Sequence, residues 1–359
     1  MDTTQTIFVN FSPIIKSNLT TGMEIGQYFA NSAHTAIGIY LTLIVILGIV
    51  GNTLVIVTFW YNRTILLPTY SFILALAIVD LGMCILGNPF PAASSLSHRW
   101  IFGKAGCDWN GFITFFTGLF GMYILMMISI DRFIIIVKAP EERISHKCAL
   151  ILVVSCGSVS LIFATMPLLG WSSYTLEGAN TSCSVNWQGQ SMGDTSYVIV
   201  TLIICFVIPV GVMMYSYLRI FFHVRRTTRG FSFRRTKMRS VNMKKPRTLA
   251  TEMKIAFMIG IMMGAFILSW SPYAIVSLWA AIGDSTSIPP LATVLPAVLA
   301  KSAIVWNPII YVVMNKKFRA AMVKLLPCSC LRQKKAPVTE VNMFGHEAEK
   351  HDIDGIELS

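Results

Sequence analysis

The sequence predicts an all-α membrane protein, a seven-transmembrane helix bundle with a short amphipathic eighth helix. Only 13% of the 359 residues are charged and 54% are hydrophobic, whereas a soluble domain carries about 25% charged residues. Seven apolar stretches are each long enough to cross a bilayer core of about 30 Å. These spans, numbered 1 to 7, lie at approximately 34–60, 70–92, 106–135, 149–170, 195–222, 252–281 and 288–314. We expect each to be a helix, because a helix satisfies its own backbone hydrogen bonds in lipid.

The remaining segments are predicted from their composition. Residues 1–33 form an extracellular tail, and residues 34–314 form the seven-helix domain. Residues 315–330 include the amphipathic eighth helix, in which apolar side chains share one face and basic side chains cover the others. The polar segment 331–359 ends in acidic residues and is expected to be a disordered cytoplasmic tail. We expect no signal peptide, since the first tail lacks a charged-then-apolar leader.

The distribution of positive charge predicts the orientation of the chain. The formal net charge is +12, and basic residues are concentrated in the segments that follow spans 5 and 7. They are Arg225, Arg226, Arg229, Arg234, Arg235, Lys237, Arg239, Lys244, Lys245, Arg247, Lys316, Lys317, Arg319 and Lys324. Because basic loops stay cytoplasmic, we expect a multi-pass plasma-membrane protein with its N-terminus outside. The clusters flank apolar spans, so membrane lipids are expected partners and nucleic acid is not.

Six residues match simple patterns for covalent modification. Asn10 and Asn18 each begin a glycosylation sequon in the extracellular tail. Cys328 and Cys330 follow the eighth helix inside the cell, where palmitoylation would add a second anchor. Cys107, at the outer start of span 3, and Cys183, in the outer loop before span 5, both face an oxidising compartment. We therefore expect a disulfide between them, with two free thiols as the alternative.

Span 3 ends in an acidic–basic pair, Asp131 and Arg132, near the cytoplasmic side. One interpretation is an interfacial pair whose charges reach the membrane surface. The sharper interpretation is a switch, in which Arg132 is held by a carboxylate on another helix and released on activation. Glu252, at the cytoplasmic start of span 6, is the candidate partner. Such a contact between spans 3 and 6 would bias a two-state equilibrium.

Proline and polar residues recur inside the apolar spans. Pro272 lacks a backbone donor and should kink span 6, and Pro308 should break span 7 in the same way. An isolated proline of this kind is common and harmless, but here several spans combine proline with polar residues. The positions concerned are Asn52, Asp80, Pro209, Tyr217, Trp270, Ser271, Pro272, Tyr273, Asn307, Pro308 and Tyr311.

Together these positions resemble the rhodopsin-like class of G-protein-coupled receptors. The resemblance covers all seven spans and includes Cys107, the Asp131-Arg132 pair and the Asn307-Pro308-Ile309-Ile310-Tyr311 motif. It implies that Asp131, Arg132, Glu252, Tyr217, Asn307, Pro308 and Tyr311 form the switch that the class uses for activation. The class usually has a tryptophan in the middle of span 4, where this chain has Gly157. That departure affects packing there but does not threaten the assignment.

Lys301, in the middle of span 7, is unusual for that class. A charge at a helix centre costs roughly +2.5 to +3.5 kcal/mol, so this lysine needs a partner, a neutral form or a covalent modification. It precedes Asn307 by six residues, as the lysine of the opsins does, and in opsins that amine condenses with retinaldehyde. The resemblance therefore implies retinal, either 11-cis or all-trans, bound to Lys301 as a protonated Schiff base. A receptor for another ligand is the less favoured alternative.

A protonated Schiff base requires a counterion. The opsin pattern of vertebrate rod and cone pigments places glutamate three residues after the cysteine of span 3, where this chain has Asn110. Glu177 lies six residues before Cys183 and matches the loop carboxylate of many invertebrate and non-visual opsins. We predict Glu177 as the counterion, with an ordinary solvated loop acid as the alternative. Asp108 is expected to face the outer rim.

The resemblance also predicts the walls of the retinal pocket. They are Trp270 and Tyr273 from span 6, Thr114 and Gly118 from span 3, and Ala300 from span 7. Trp270 would lie near the ring end of the polyene, and Gly118 would leave room for the chain. The alternative for each is ordinary core packing, which is favoured for Thr114 or Gly118 taken alone.

The stretches around spans 6 and 7 look most like the group of peropsins, Go-coupled opsins and retinal photoisomerases. Some members of that group signal through Gi or Go proteins, and others convert all-trans retinal to the 11-cis form under light. The intact switch residues favour a light-sensing receptor that is not an enzyme and that couples to a heterotrimeric G protein of the Gi/Go class. A light-driven retinal isomerase with little signalling is the alternative. Arrestin and a receptor kinase are further expected partners, although Thr339 and Ser359 are the only hydroxyls in segment 331–359.

Overall fold

A computed structural model describes residues 13–61, 68–138, 142–177, 179–235, 246–283, 288–315 and 318–320. Spans 1, 3 and 6 are single helices, with bounds Pro13–Tyr61, Gly103–Val137 and Pro246–Ile282. Span 2 is built of Pro68–Gly82, the π-helical turn Met83–Gly87 and Pro89–Leu96. Span 4 is His146–Thr165 with the 3₁₀ turn Met166–Leu169, and span 5 is Met192–Leu202, the π-helical turn Ile203–Val207 and Ile208–Arg235. Span 7 is Pro290–Lys301 followed by Ala303–Met314.

Six of these described helical segments are long and apolar enough to cross a membrane, and span 7 makes a seventh when its two bent halves are taken together. The prediction of an all-α seven-helix membrane bundle is therefore confirmed. The bounds of the first helix and the described extent of the eighth helix differ from the predicted ones. Helix 13–61 begins well before residue 34, although its apolar part, Asn31–Tyr61, matches the predicted first span. Of the eighth helix only residues 318–320 are described, and they are helical.

Three of the spans, 2, 5 and 7, are interrupted, and span 6 contains a proline. In spans 2 and 5 a π-helical turn ends two residues before Pro89 or Pro209, whose missing N–H weakens the regular ladder. In span 6 Pro272 lies inside an otherwise continuous helix. The two halves of span 7 meet at Ser302 with a bend of 43°. We predicted the breaks at proline, but the break beside Lys301 falls six residues before Pro308.

Span 3 forms the centre of the bundle. Its Ile124, Leu125 and Ile128 are fully buried in a cluster that includes Phe72 from span 2 and Met213 from span 5. The large apolar side chains that remain exposed, as along span 4, face outward from the bundle. This arrangement is typical of a membrane protein, because lipid solvates apolar side chains and tight packing holds the helices together.

A β-hairpin, which we did not predict, closes one end of the bundle. Strand β1, Tyr174–Glu177, pairs antiparallel with β2, Ser182–Val185, so that Leu176 faces Cys183 and Glu177 faces Ser182. The predicted disulfide joins Cys183 to Cys107 of span 3, with Cα atoms 5.3 Å apart. The ring of Tyr174 occupies the space that a side chain at Gly111 would need. The hairpin therefore lies directly on span 3.

Candidate functional site

The structure brings together two charged residues that are 124 positions apart. Lys301 Nζ donates a hydrogen bond of 2.8 Å to Glu177 Oε1. The two side chains are only 9% and 4% exposed. Glu177 is therefore not a solvated loop acid, and Lys301 has a buried partner of opposite charge.

The charge state of Glu177 depends on that partner. Burial by itself raises the pKa of the Glu177 carboxyl, but the charge and the hydrogen bond of Lys301 lower it more, with smaller help from the nearby hydroxyls of Ser182 and Ser184. The net effect places the pKa below its ordinary value of 4.5. Tyr273 is a further titratable group that faces the carboxyl. The pair is stable as an ion pair because each charge would be costly to bury alone.

The second oxygen of that carboxylate has no conventional partner. Glu177 Oε2 is fully buried and makes no hydrogen bond of ordinary geometry with the described residues. Buried polar atoms are normally satisfied, so this oxygen has unused capacity to accept a donor. Glu177 also lines a cavity.

Two adjoining cavities extend from the ion pair into the bundle. The empty space is about 380 Å³ in the first and about 650 Å³ in the second, in each case including a part that is open to the surroundings. Both cavities are lined by Phe115, Val185, Trp270 and Tyr273, so the two are neighbours with a shared wall, and we refer to them together as the chamber. The predicted residues Glu177, Thr114, Trp270, Tyr273, Ala300 and Lys301 line the first cavity, and Gly118, Trp270 and Tyr273 line the second. The structure thus places all seven predicted ligand-binding residues around one chamber, whose charged end is the ion pair.

Gly118 has a different neighbour from the one we expected. A Cβ atom placed on it would come within 2.5 Å of the Trp270 ring. The space beside Gly118 is therefore filled by the tryptophan, which stacks on Phe266 at a centroid distance of 5.8 Å. Gly118 consequently sets the position of Trp270 and only indirectly the room for a ligand.

Several chamber residues were missed from the sequence. Met83, Phe115, Val185, Trp187 and Tyr197 line it. Met83 and Phe115 lie in apolar spans, where an apolar side chain is expected at most positions, so no local signal marks them as ligand-binding residues. Val185 is the last residue of strand β2 and Trp187 lies two residues after it, so the position of both depends on how the hairpin docks.

The two alternatives to Glu177 near the start of span 3 have other roles. Asp108 is partly exposed and forms an ion pair with Lys104, one turn earlier on the outer rim. Asn110 is fully buried, donates to the backbone oxygen of Gly87 and accepts from the backbone nitrogen of Cys183. Neither residue contacts Lys301 through a described hydrogen bond or ion pair. Glu177 is therefore the carboxylate paired with Lys301.

The end of the bundle that lies opposite the hairpin holds a second buried charge cluster. Arg132 Nη2 lies 2.7 Å from Asp131 Oδ2, and Arg132 Nη1 lies 3.0 Å from Glu252 Oε2. The side chains of Asp131 and Arg132 are each 3% exposed, and that of Glu252 is 16% exposed. The contact between spans 3 and 6 on which the switch hypothesis depends is therefore present in this conformation.

The remaining predicted switch residues connect neighbouring spans. Tyr217 of span 5 donates its hydroxyl to the backbone oxygen of Ala256 in span 6, at 2.8 Å. Asn307 Nδ2 of span 7 donates to Asp80 Oδ2 of span 2, also at 2.8 Å. Tyr311 is buried, and its hydroxyl makes no hydrogen bond with the described residues. Pro308 packs closely on Gly51 of span 1.

Four predicted modification sites cannot be placed in space. Asn10, Cys328 and Cys330 lie outside the described residues. Asn18 lies within helix Pro13–Tyr61, in a part where only the backbone is described. Glycosylation and palmitoylation therefore stay predictions.

Comparison with known proteins gives consistent similarities. Residues 51–311 match the family model "7 transmembrane receptor (rhodopsin family)". The visual pigment-like receptor peropsin of Homo sapiens is 31% identical over 319 residues, which are 89% of this chain and 91% of that protein. The G0-coupled rhodopsin of Mizuhopecten yessoensis is 34% identical over 82% of this chain and 73% of its own length.

A longer relative and a solved structure show the same similarity. Melanopsin-B of Gadus morhua is 32% identical over 88% of this chain, but the chain spans only 52% of that protein's length. The crystal structure of squid rhodopsin superimposes with a TM-score of 0.78 at 30% identity, covering 85% of this chain and 89% of that one. The arrangement of spans described above is therefore shared with a solved membrane receptor.

Proposed function

Because the chain belongs to the rhodopsin family of seven-transmembrane receptors and is an animal opsin, we propose that it is a light-sensing receptor. In this proposal Lys301 holds retinal, and light-driven isomerisation is coupled to activation of a Gi- or Go-class G protein. The observation that supports it most is the buried Lys301–Glu177 pair, 2.8 Å apart, at the end of a chamber inside the bundle. A buried intramembrane lysine is expensive to keep unless it has a function.

The residues around the chamber suit retinal. Retinal supplies an aldehyde that can condense with an amine to a Schiff base and a polyene whose geometry changes on absorbing light. The chamber offers one amine, Lys301, with apolar and aromatic walls beyond it. The unpartnered Oε2 of Glu177 can accept a proton donor at the linkage. Long apolar ligands with one polar end fit such a site, in which few polar groups fix the orientation.

The protein residues have distinct tasks in this proposal. Lys301 forms the covalent attachment, and Glu177 supplies the negative charge that balances a cation at that position. Trp270 packs against Gly118 and lines the chamber, so a change in the shape of the ligand would displace its ring. It lies two residues before Pro272, where span 6 lacks one backbone hydrogen bond and can change its bend. Movement of span 6 then separates Glu252 from Arg132.

Weakening that cytoplasmic contact is expected to raise activity in the dark. Glu252→Gln keeps the shape of the side chain but removes the charge that Arg132 contacts at 3.0 Å. The inactive conformation loses an interaction that the active one does not make, so dark nucleotide exchange on Gi or Go should rise on the order of fivefold or more. The measurement is GTPγS uptake by purified G protein with reconstituted receptor.

A matched variant controls for the loss of cytoplasmic charge. Glu142 forms an exposed pair with Lys138 on the same side of the membrane, and Glu142→Gln should leave dark exchange near the wild-type rate. Equal dark exchange in the wild type and Glu252→Gln, with both proteins folded, would show that the Arg132–Glu252 contact does not restrain activation.

The second candidate is a retinal isomerase with little signalling. It is supported by the similarity to peropsin, which extends over nearly the whole length of both chains. The chamber and ion pair serve this role equally well, because both roles need retinal at Lys301. The Arg132–Glu252 contact, the Tyr217 hydrogen bond and the Asn307–Asp80 hydrogen bond favour the receptor, since isomerisation alone does not require a coupled cytoplasmic face.

One experiment separates the two roles. The protein is purified with 11-cis and, separately, with all-trans retinal, and spectra are recorded before and after illumination together with GTPγS exchange on Gi and Go. A receptor gives light-dependent exchange in at least one form. An isomerase gives net conversion of all-trans to 11-cis retinal without exchange. Protein that forms no visible pigment with either isomer contradicts both proposals.

The proposed membrane arrangement has the hairpin outside and the Arg132 cluster inside, where a G protein would bind. The basic stretch that begins with Arg225 and Arg226, in the last part of helix Ile208–Arg235, offers positive charge to an acidic partner surface. Arrestin and a receptor kinase are proposed as further cytoplasmic partners. The proposed orientation follows from the excess of positive charge on that side.

A further inference from the structure

The π-helical turn of span 2 leaves backbone groups for other spans to bind. In this turn, Met83–Gly87, the backbone nitrogen of Asn88 donates to Met83 O at 2.9 Å, a bond one residue longer than in an α-helix. Pro91, four residues after Gly87, has no backbone N–H, so the oxygen of Gly87 lacks the helical donor that it would otherwise have. That oxygen is therefore available to another span, and the next residue, Asn88, directs its side chain at span 7.

The hairpin that carries Glu177 is attached to the first of these two residues. Asn110 Nδ2 donates to Gly87 O at 2.9 Å, and Asn110 Oδ1 accepts from the backbone nitrogen of Cys183 at 3.2 Å. Cys183 is the strand partner of Leu176, the residue directly before Glu177. Asn110 is fully buried, so water does not compete for these bonds. Through Asn110, the position of Glu177 relative to span 3 is therefore held by the backbone of Gly87.

The segment that carries Lys301 is attached to the second residue. Asn88 Nδ2 donates to the backbone oxygen of Lys301 at 3.2 Å. That oxygen lies at the break in span 7, where the nitrogen of Val305 bonds to Ser302 O, at 3.2 Å. Asn88 is also fully buried. The backbone of Lys301 is therefore held by Asn88, the residue next to Gly87.

We propose that the π-helical turn of span 2 aligns the two halves of the ion pair, with Asn110 and Asn88 as positioning residues. Glu177 and Lys301 are 124 positions apart in the sequence. The segments that carry them are nevertheless bonded to two adjacent residues of span 2, Gly87 and Asn88. A displacement of about 1 Å in such a site can have large functional effects. Sequence reasoning had treated Asn110 only as a neutral position, and had not singled out Asn88.

A simpler interpretation is that both asparagines only satisfy buried backbone groups. It predicts that removing either one lowers stability without changing the interaction between Glu177 and Lys301. The alignment proposal predicts a specific change in the titration of Glu177, because displacement from Lys301 removes the influence that lowers its pKa, while burial, which raises it, remains.

The test uses Asn110→Leu and Asn88→Leu in the full chain, since leucine keeps the branched shape of asparagine, in a larger side chain, but has no polar atoms. The first measurement needs no ligand. In ligand-free protein, infrared titration follows the carboxylic acid C=O band of Glu177, which is assigned by its absence in Glu177→Gln. Both variants should raise the titration midpoint above that of the wild type. Thr117→Val, which removes a buried hydroxyl bonded only within span 3, should leave the midpoint unchanged.

Hydrogen exchange separates the two arms of the alignment. The amides of residues 174–185 should exchange about tenfold faster in Asn110→Leu, which frees the hairpin, and at the wild-type rate in Asn88→Leu. Unchanged Glu177 midpoints in both variants, with a loss of thermal stability like that of Thr117→Val, would overturn the proposal.

The spectral readout rests on the proposed function. With retinal, Asn110→Leu should lower the pH midpoint at which the visible band gives way to the near-ultraviolet band, and this shift should vanish in the Glu177→Gln background because both changes act on one interaction. Additive effects in that double variant would contradict the alignment. If the wild type forms no pigment while the infrared midpoints still move, the retinal proposal fails and the alignment stands.

Discussion

Replacing Lys301 with alanine is expected to abolish the visible absorption band of protein reconstituted with retinal. Alanine offers no amine for condensation, and no other described lysine lines the chamber. The same change leaves Glu177 as a buried charge whose partner, at 2.8 Å, has been removed. Breaking a buried pair in this way costs about 3–5 kcal/mol, so the ligand-free protein should also unfold at a lower temperature. Absorption spectra and thermal unfolding in detergent measure the two effects.

Lys301→Arg separates the two roles of this lysine. Arginine keeps a cation beside Glu177 and should recover much of the stability that alanine loses, but its guanidinium does not form the covalent linkage. The visible band should therefore be absent from both variants, whereas the thermal stability differs between them. Lys138→Ala removes an exposed lysine outside the chamber and should bind retinal normally. A visible band of wild-type intensity in Lys301→Ala would refute covalent attachment at this residue.

Replacing Glu177 with glutamine is expected to convert most of the visible band to a near-ultraviolet band at pH 7. Glutamine keeps the size of the side chain but removes the negative charge that balances a cation on Lys301. Without that charge the protonated, visible-absorbing linkage is less stable in the buried site, where both side chains are less than 10% exposed. Acidification should restore visible absorbance, and the pH titration of the spectrum provides the measurement.

The same carboxylate should make the stability of the ligand-free protein depend on acid pH. The pKa of Glu177 is lower in the folded protein than its ordinary value of 4.5, because Lys301 outweighs the effect of burial. A carboxyl with a lowered folded pKa stabilises the fold above its unfolded pKa, and that contribution is lost as pH falls through the folded pKa. The wild type should therefore lose stability below about pH 4.5, and Glu177→Gln should lack this part of the pH dependence.

Asp108→Asn is the matched control for Glu177→Gln. Asp108 is another acid of the outer end, but it pairs with Lys104 and is partly exposed. Its replacement should leave the visible band in place at pH 7. A visible spectrum in Glu177→Gln that matches the wild type at neutral pH would show that another group balances the charge on Lys301.

Local patterns were sufficient for the fold and for part of the site. Span length and apolar composition determine which segments cross a bilayer, because each helix meets the lipid through its own side chains. The resemblance to the opsins, in the spacing of Lys301 from Asn307 and of Glu177 from Cys183, predicted both members of the ion pair. The position of Cys107 and Cys183 on the same side of the membrane was enough to predict their disulfide.

Other features of the site depend on contacts between distant segments. The sequence did not show that Trp270 fills the space beside Gly118, because that contact joins spans 3 and 6. The sequence also did not show the hairpin. Its position is set by the packing of Tyr174 on Gly111 and by the hydrogen bond from the backbone nitrogen of Cys183 to Asn110. The break of span 7 beside Lys301 was also unpredicted, since a proline pattern marks only Pro308.

The sequence by itself determined a seven-helix membrane bundle and the identity of the buried lysine, since both follow from residue types along single helices. Only the tertiary structure decided that Glu177 reaches Lys301, that Glu177 lines the chamber, and that Asn88 and Asn110 tie both segments to one turn of span 2. The physical reason is that an ion pair across 124 positions requires the docking of a loop on a helix and a helix on its neighbour. That docking is set by packing and hydrogen bonds between segments, which no local pattern in the chain specifies.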